Sequence, residues 1–84
     1  MTREDIIRIV EAAQRDQRGV SVLLASGGAP LEGLPQAAVD GVLVLATSMG
    51  ERRIPLTDIA HATSMGIMRS RALRSMLARR RTAA

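Results

Sequence analysis

The sequence predicts an α+β domain in which about five short antiparallel strands form a small barrel between an N-terminal helix and a basic C-terminal helix. Three observations predict it. Apolar residues recur with helical spacing over residues 2–18 and again over residues 64–80. Between them, over residues 20–63, the pattern changes to short β-branched and aliphatic runs punctuated by Gly, Pro and Asp-Gly. The pentapeptide ATSMG occurs twice, at residues 46–50 and 62–66, each time where a strand is expected to end.

The first helix carries signals at both ends. Thr2 and Asp5 have the spacing of a capping box, and Glu4 and Asp5 suit the positive end of the helix dipole. Arg15 and Arg18 suit the other end, and Glu4–Arg8 and Glu11–Arg15 have favourable i,i+4 spacing. Ile6, Ile9, Val10 and Ala13 form the apolar stripe, and Gly19 is expected to supply the left-handed stop.

The strands follow in order. VSVLLAS places Val20, Val22 and Leu24 on one face, and Gly27-Gly28 turns the chain. APLEGL reads as an irregular strand that Pro30, Gly33 and Pro35 confine to an edge or a bulge. Asp40-Gly41 is a turn signal, after which VLVLAT is apolar on both faces, as a central strand is. The first ATSMG then serves as a hairpin turn with Gly50 at positive φ, and RRIPL returns with Ile54 and Leu56 inward. TDIAHA gives a tight turn and a fifth strand. After it Thr63 or Ser64 can cap a second helix bearing Ile67, Met68, Ala72, Leu73, Met76 and Leu77. Internal duplication is the rival account of the repeat, but the likeness stops at five small residues and a 16-residue spacing matches no common solenoid.

Composition bounds the function. Eighty-four residues make a single domain, residues 1–84, with one modest core. Cysteine is absent, so neither disulfides nor a cysteine-based zinc site reinforces that core, and with no Phe, Tyr or Trp it is built from aliphatic side chains and Met. Every cation is Arg, which the codon usage of a GC-rich genome accounts for. The charged start TRED does not resemble a signal peptide, and no apolar run approaches the roughly 20 residues that span a bilayer. A soluble, cytoplasmic protein is the expectation.

The order Gly28…Gly33…Asp40-Gly41…ERRIPLTDIAHA after a helix resembles the small Sm-like and SH3-like barrels. Their members include the bacterial Sm-like RNA chaperone and the C-terminal domain of the ribosome maturation factor. Gly28 and Gly33 have the five-residue spacing of the glycines in the first Sm motif, and Asp40 stands near its aspartate. RRIPLTDIAHA is similar to the closing strand, tight turn and last strand of the maturation-factor domain. Three departures stand out. The interval from Gly33 to Asp40 is about one residue longer than usual, and Pro35 occupies a strand position. IPLTDI also replaces the Lys-His or Arg-Gly signature that contacts RNA. The resemblance therefore implies a shared barrel without the usual RNA-reading pocket. It also implies assembly, because Sm-type rings pair strands four and five between subunits; Pro55 removes one donor from that ladder.

No catalytic residue, cofactor, metal site or small-molecule substrate is expected. His61 is the one histidine and has no Cys, or Asp/Glu–Ser arrangement, beside it in sequence, so it reads as a structural or surface residue. SGGAPLEG follows a strand but lacks both the GxGxxG spacing and the GK[ST] ending of phosphate loops. Acids occur singly, apart from Glu4-Asp5 at a helix start, so no carboxylate pair invites acid–base chemistry.

Charge asymmetry is the remaining signal. Residues 1–58 hold six Arg and eight acids, net −2, whereas residues 59–84 hold six Arg and no acid, net +6. The candidate nucleic-acid contacts are Arg52, Arg53, Arg69, Arg71, Arg74, Arg79, Arg80 and Arg81. About six such contacts give a log–log salt slope of roughly −4 to −5. Without aromatic rings to stack bases, backbone or shape recognition of RNA or a ribonucleoprotein is the expectation, with no enzymatic activity. The alternative is a protein-interaction or self-assembly module, a homo-oligomer or a regulator of an RNA-handling protein. Its helix would present Met65, Met68, Leu73, Met76 and Leu77 to a partner. A plain solvated helix face accounts for the same arginines, and ordinary packing for the same methionines.

Overall fold

The computed structural model describes residues 1–82, with side chains described through Arg79. Helix α1 (Arg3–Arg15) leads into strands β1 (Val20–Leu24), β2 (Leu31–Val39), β3 (Val42–Thr47) and β4 (Gly50–Pro55). A 3₁₀ turn at Leu56–Asp58, strand β5 (Ile59–Ser64) and helix α2 (Ile67–Thr82) complete the chain.

Thr2 and Asp5 close the expected capping box. The helix stops at Arg15, three residues short of expectation, because Gln17 takes the left-handed conformation (φ 56°) in place of Gly19. The Arg18 N–H then donates to the Ala13 carbonyl (2.8 Å) and the Gln17 N–H to that of Gln14 (3.3 Å), the paired bonds of a Schellman stop. The expected Glu4–Arg8 and Glu11–Arg15 ion pairs do not form; the ion pairs among the described residues are Arg53–Glu51 and Arg69–Glu32.

All five strands belong to one antiparallel sheet in the order β4-β3-β2-β1-β5. The strand expected at an edge or a bulge is β2, which lies in the middle of the sheet and carries the bulge. It tolerates its prolines because Pro30 precedes the strand and Pro35 lies at the bulge between Pro35 and Ala37. The strand also changes partner along its length: residues 31–33 pair with β1 and residues 34–39 with β3. At this crossing a Cβ on Gly33 would stand 2.5 Å from the Ala46 carbonyl oxygen, so no other residue fits. The Gln14 side chain of α1 donates to the exposed Gln36 carbonyl at the bulge (3.0 Å).

Asp40 and Gly41 both have positive φ (55° and 76°), the two-residue hairpin geometry between Val39 and Val42. The first ATSMG forms the β3–β4 turn as expected, with Gly50 at φ 111°. Thr47 fixes it, donating to the Gly50 carbonyl (2.7 Å) and accepting from the Met49 N–H (3.1 Å). In the second copy Thr63 and Ser64 belong to β5 and do not cap the helix, which opens at Ile67, with the Ser70 N–H donating to the Gly66 carbonyl (2.9 Å).

The curled sheet and α1 enclose an aliphatic core of Ile6, Val10, Val20, Val22, Leu43, Leu45, Ile54, Leu56 and Ile59, with Ala13 and Ala62. Strand β3 buries every second residue and β1 buries Val20 and Val22, as strands with one covered face do, whereas β4 buries Ile54 alone and β5 buries Ile59 and Ala62, three residues apart.

Candidate nucleic-acid interface

Helix α2 is positioned by a small set of contacts around Gly19. The Met65 N–H donates to the Gly19 carbonyl (2.8 Å), carrying the β1–β5 ladder one residue past the strand. Ser70, 2% exposed, points inward from the first turn; its Oγ accepts from the Gly19 N–H (3.0 Å) and donates weakly to the Met65 carbonyl (3.5 Å). A Cβ on Gly19 would meet Met65 Sδ at 2.7 Å and Leu73 Cδ2 at 2.9 Å. Gly19 thus packs closely against the side-chain ends of Met65 and Leu73, without needing a positive φ.

The docked face of α2 is narrow. Ser70 and Leu73 are buried and Arg74 and Leu77 half-buried, while Ile67, Met68, Ala72 and Met76 are exposed. Of the residues expected to meet a partner, Met65 and Leu73 are therefore packed inside this chain, Leu77 is half-buried, and Met68 and Met76 face outward.

The arginines separate into groups. Arg69 forms an exposed ion pair with Glu32 of β2. Arg74 Nη1 donates to Gln17 Oε1 just past α1 (2.8 Å). Arg71 and Arg79 lie on exposed positions of α2. Arg80 and Arg81 fall outside the described side chains. Arg52 and Arg53 are exposed on β4, with Arg53 Nε 3.5 Å from the Glu51 carboxylate. They line a cleft of about 280 Å³ with Leu24, Ser26, Ile54 and Asp58, to which no α2 residue contributes. The β4 pair and the α2 arginines thus do not share one cavity. Arg74 instead lines a second cleft, of about 240 Å³, with Arg18.

His61 is exposed on β5 opposite Leu23. Among the described residues no group of three His, Cys, Asp or Glu could hold a metal ion, and no helix is long and apolar enough to cross a membrane.

Reading the sequence alone misses Ser70 and Gly19, the residues that hold the helix. The signal was present: Ser70, Leu73 and Leu77 recur at helical spacing, with a small hydroxyl at a position otherwise apolar.

No family model matches the chain, and no curated protein matches it. Among solved structures it is similar to the 1.55 Å crystal structure of the pleiotropic translational regulator Hfq, with a TM-score of 0.60 and 19% sequence identity. The match covers 68% of this chain and 93% of that one. At that identity the likeness is one of fold, and it bears out the expected architecture: an N-terminal helix followed by five antiparallel strands in the Sm-like arrangement, with α2 completing the α+β domain.

Proposed function

We propose that this chain is a non-enzymatic, RNA- or ribonucleoprotein-associated module whose arginines contact the phosphate backbone. One observation carries the reading: the six arginines and no acid of residues 59–84 all fall on α2 and its end, and α2 docks by so narrow a face that most of its surface stays in solvent. Arg71 and Arg79 occupy that surface, and the exposed Arg69–Glu32 pair is of the kind worth at most about 1 kcal/mol, which a phosphate can displace. Arg52 and Arg53 on β4 offer a separate point of contact. The fold shared with a translational regulator supports the same reading.

Fluorescence anisotropy with a labelled single-stranded oligoribonucleotide tests it. With four α2 arginines on phosphates, log K falls against log salt with a slope of about −3, and base sequence has little effect. Absence of binding at low salt overturns the reading, as does purification at low salt free of absorbance at 260 nm.

A second reading, self-assembly, is favoured by the sheet order, which leaves β4 and β5 at opposite ends, each with one unpaired edge. Pro55 is the last residue of β4, so the donor it removes lies at the strand tip and residues 50–54 remain able to pair.

A further inference from the structure

We propose that the cleft between the end of α1, the β2 bulge and α2 is a phosphate-binding site, and that filling it fastens α2 to the body of the domain. The inference rests on the RNA-associated reading only for the source of the phosphate.

Three observations carry it. Among the described side chains Arg18 and Arg74 are the two arginines that are not fully exposed, and both line this cleft. Neither meets an acid: Arg74 donates to a neutral amide, Gln17 Oε1, and Arg18 has no hydrogen-bonded or ionic side-chain partner. The remainder of the lining is the carboxamides of Gln14, Gln17 and Gln36 with an apolar floor that includes Pro35, so no carboxylate faces the two charges.

Half-buried cations lose part of their hydration, and two of the same sign facing one small cavity repel each other. The other arginines among the described side chains are exposed, two of them beside an acid; here the fold places two on one cleft whose other polar side chains are amides. Amide N–H groups and guanidinium forks are the donors that suit the oxygens of a phosphate. A volume of about 240 Å³, with a water occupying roughly 30 Å³, has room for that group and several waters.

The site is composite. Arg18 lies in the Schellman stop of α1, Gln36 at the β2 bulge, and Arg74 one turn beyond Ser70 on α2. Docking of α2 therefore creates the site, and by linkage an occupant of the site stabilises docking. The Gly19 N–H, held by Ser70 Oγ, reports docking directly.

The phosphate belongs either to an RNA backbone or to a free ion, and two measurements on the full chain distinguish them. The key variant is Arg18→Gln, because Arg18 holds nothing on α2 and its loss leaves the fold intact; Arg8→Gln on the exposed face of α1 controls for net charge. In the first, inorganic phosphate is compared with chloride at equal ionic strength. The wild type and R8Q gain a few degrees in Tm and slower exchange at the Gly19 amide, and R18Q gains neither. In the second, RNA affinity of R18Q falls roughly fivefold at 0.1 M salt and its salt slope flattens by about 0.7, one phosphate contact. Both effects, or the second alone, assign the site to the backbone; the first alone assigns it to a free ion. If R18Q matches the wild type in both, the proposal is overturned. Failure of the wild type to bind RNA removes the functional reading above and leaves the inorganic-phosphate result to decide this one.

Discussion

Replacing Ser70 by alanine strands the Gly19 amide. That N–H is buried, and its acceptor is the Ser70 hydroxyl. An unsatisfied buried donor costs about 1–3 kcal/mol, a large share of the stability of so small a domain. Ser70→Ala is expected to lower the unfolding free energy from denaturant titration by that amount and to speed hydrogen exchange at Gly19 more than at the β1 amides that follow it. Unchanged exchange at Gly19 would mean that Leu73 alone seats the helix. The two glycines on which this part of the fold depends, Gly19 and Gly33, illustrate what the letters conceal. A glycine in a sequence suggests a turn or a helix stop, and Gly27, Gly28, Gly41 and Gly50 do have positive φ. Gly19 and Gly33 do not; the backbone of Ala46 occupies the space of a side chain at Gly33, and the ends of Met65 and Leu73 crowd Gly19, all from segments distant in sequence. Crowding of that kind leaves no local trace.

Elements defined by local chemistry were legible, and those defined by their neighbours were not. The start of α1 depends on two side chains three residues apart and was correctly placed. Its end depends on Gln17 accepting a left-handed conformation that a glycine two residues later seemed better suited to provide. The interior place of β2 was hidden by prolines whose cost the bulge removes. The twin pentapeptide shows the same division. One copy turns on the hydroxyl of Thr47, and the other continues a ladder because β1 lies beside it to receive Thr63. Of the candidate site, the cationic character of α2 was legible from charge counts, whereas the presence of Arg18 and Arg74 on one cleft required the third dimension. The capping box also makes a prediction at this scale. The Thr2 side chain, and after it the Thr2 backbone N–H, hold the Asp5 carboxyl below its ordinary range. A depressed carboxyl favours the folded state above its ordinary pKa, and the advantage disappears as pH falls through the lower, folded value. Thr2→Ala removes the larger cause, so an NMR titration should find the Asp5 pKa moved up toward the ordinary value. At neutral pH the same variant is expected to lose about 1 kcal/mol of stability, the usual worth of an N-cap. An Asp5 titration identical in both proteins would mean that the box contributes nothing in solution.

At the scale of the whole molecule, the open sheet confronts a small aliphatic core. The core has no aromatic ring, and a domain of this length buries a smaller fraction of its surface than larger ones do. Both end strands expose a row of unpaired backbone groups, a liability that chains usually blunt with charge or proline. The two edges are treated differently. Strand β4 carries Glu51, Arg52, Arg53 and Pro55, whereas β5 has His61 as its one ionisable residue and no proline. If β4 of one copy pairs with β5 of the next, the contact is head-to-tail, and such a contact closes into a ring or continues as a filament. Pairing would cover the unprotected β5 edge and add buried surface to a core short of it. Folding and association would then be linked, and the thermal midpoint should rise with protein concentration over a hundredfold range, in parallel with a solution mass that is a multiple of the chain's. A midpoint independent of concentration together with a monomeric mass would show that the charges of β4 are sufficient to keep the edges apart. In that case the proposed RNA contact would be made one copy at a time, without the avidity that several α2 helices on one strand would give.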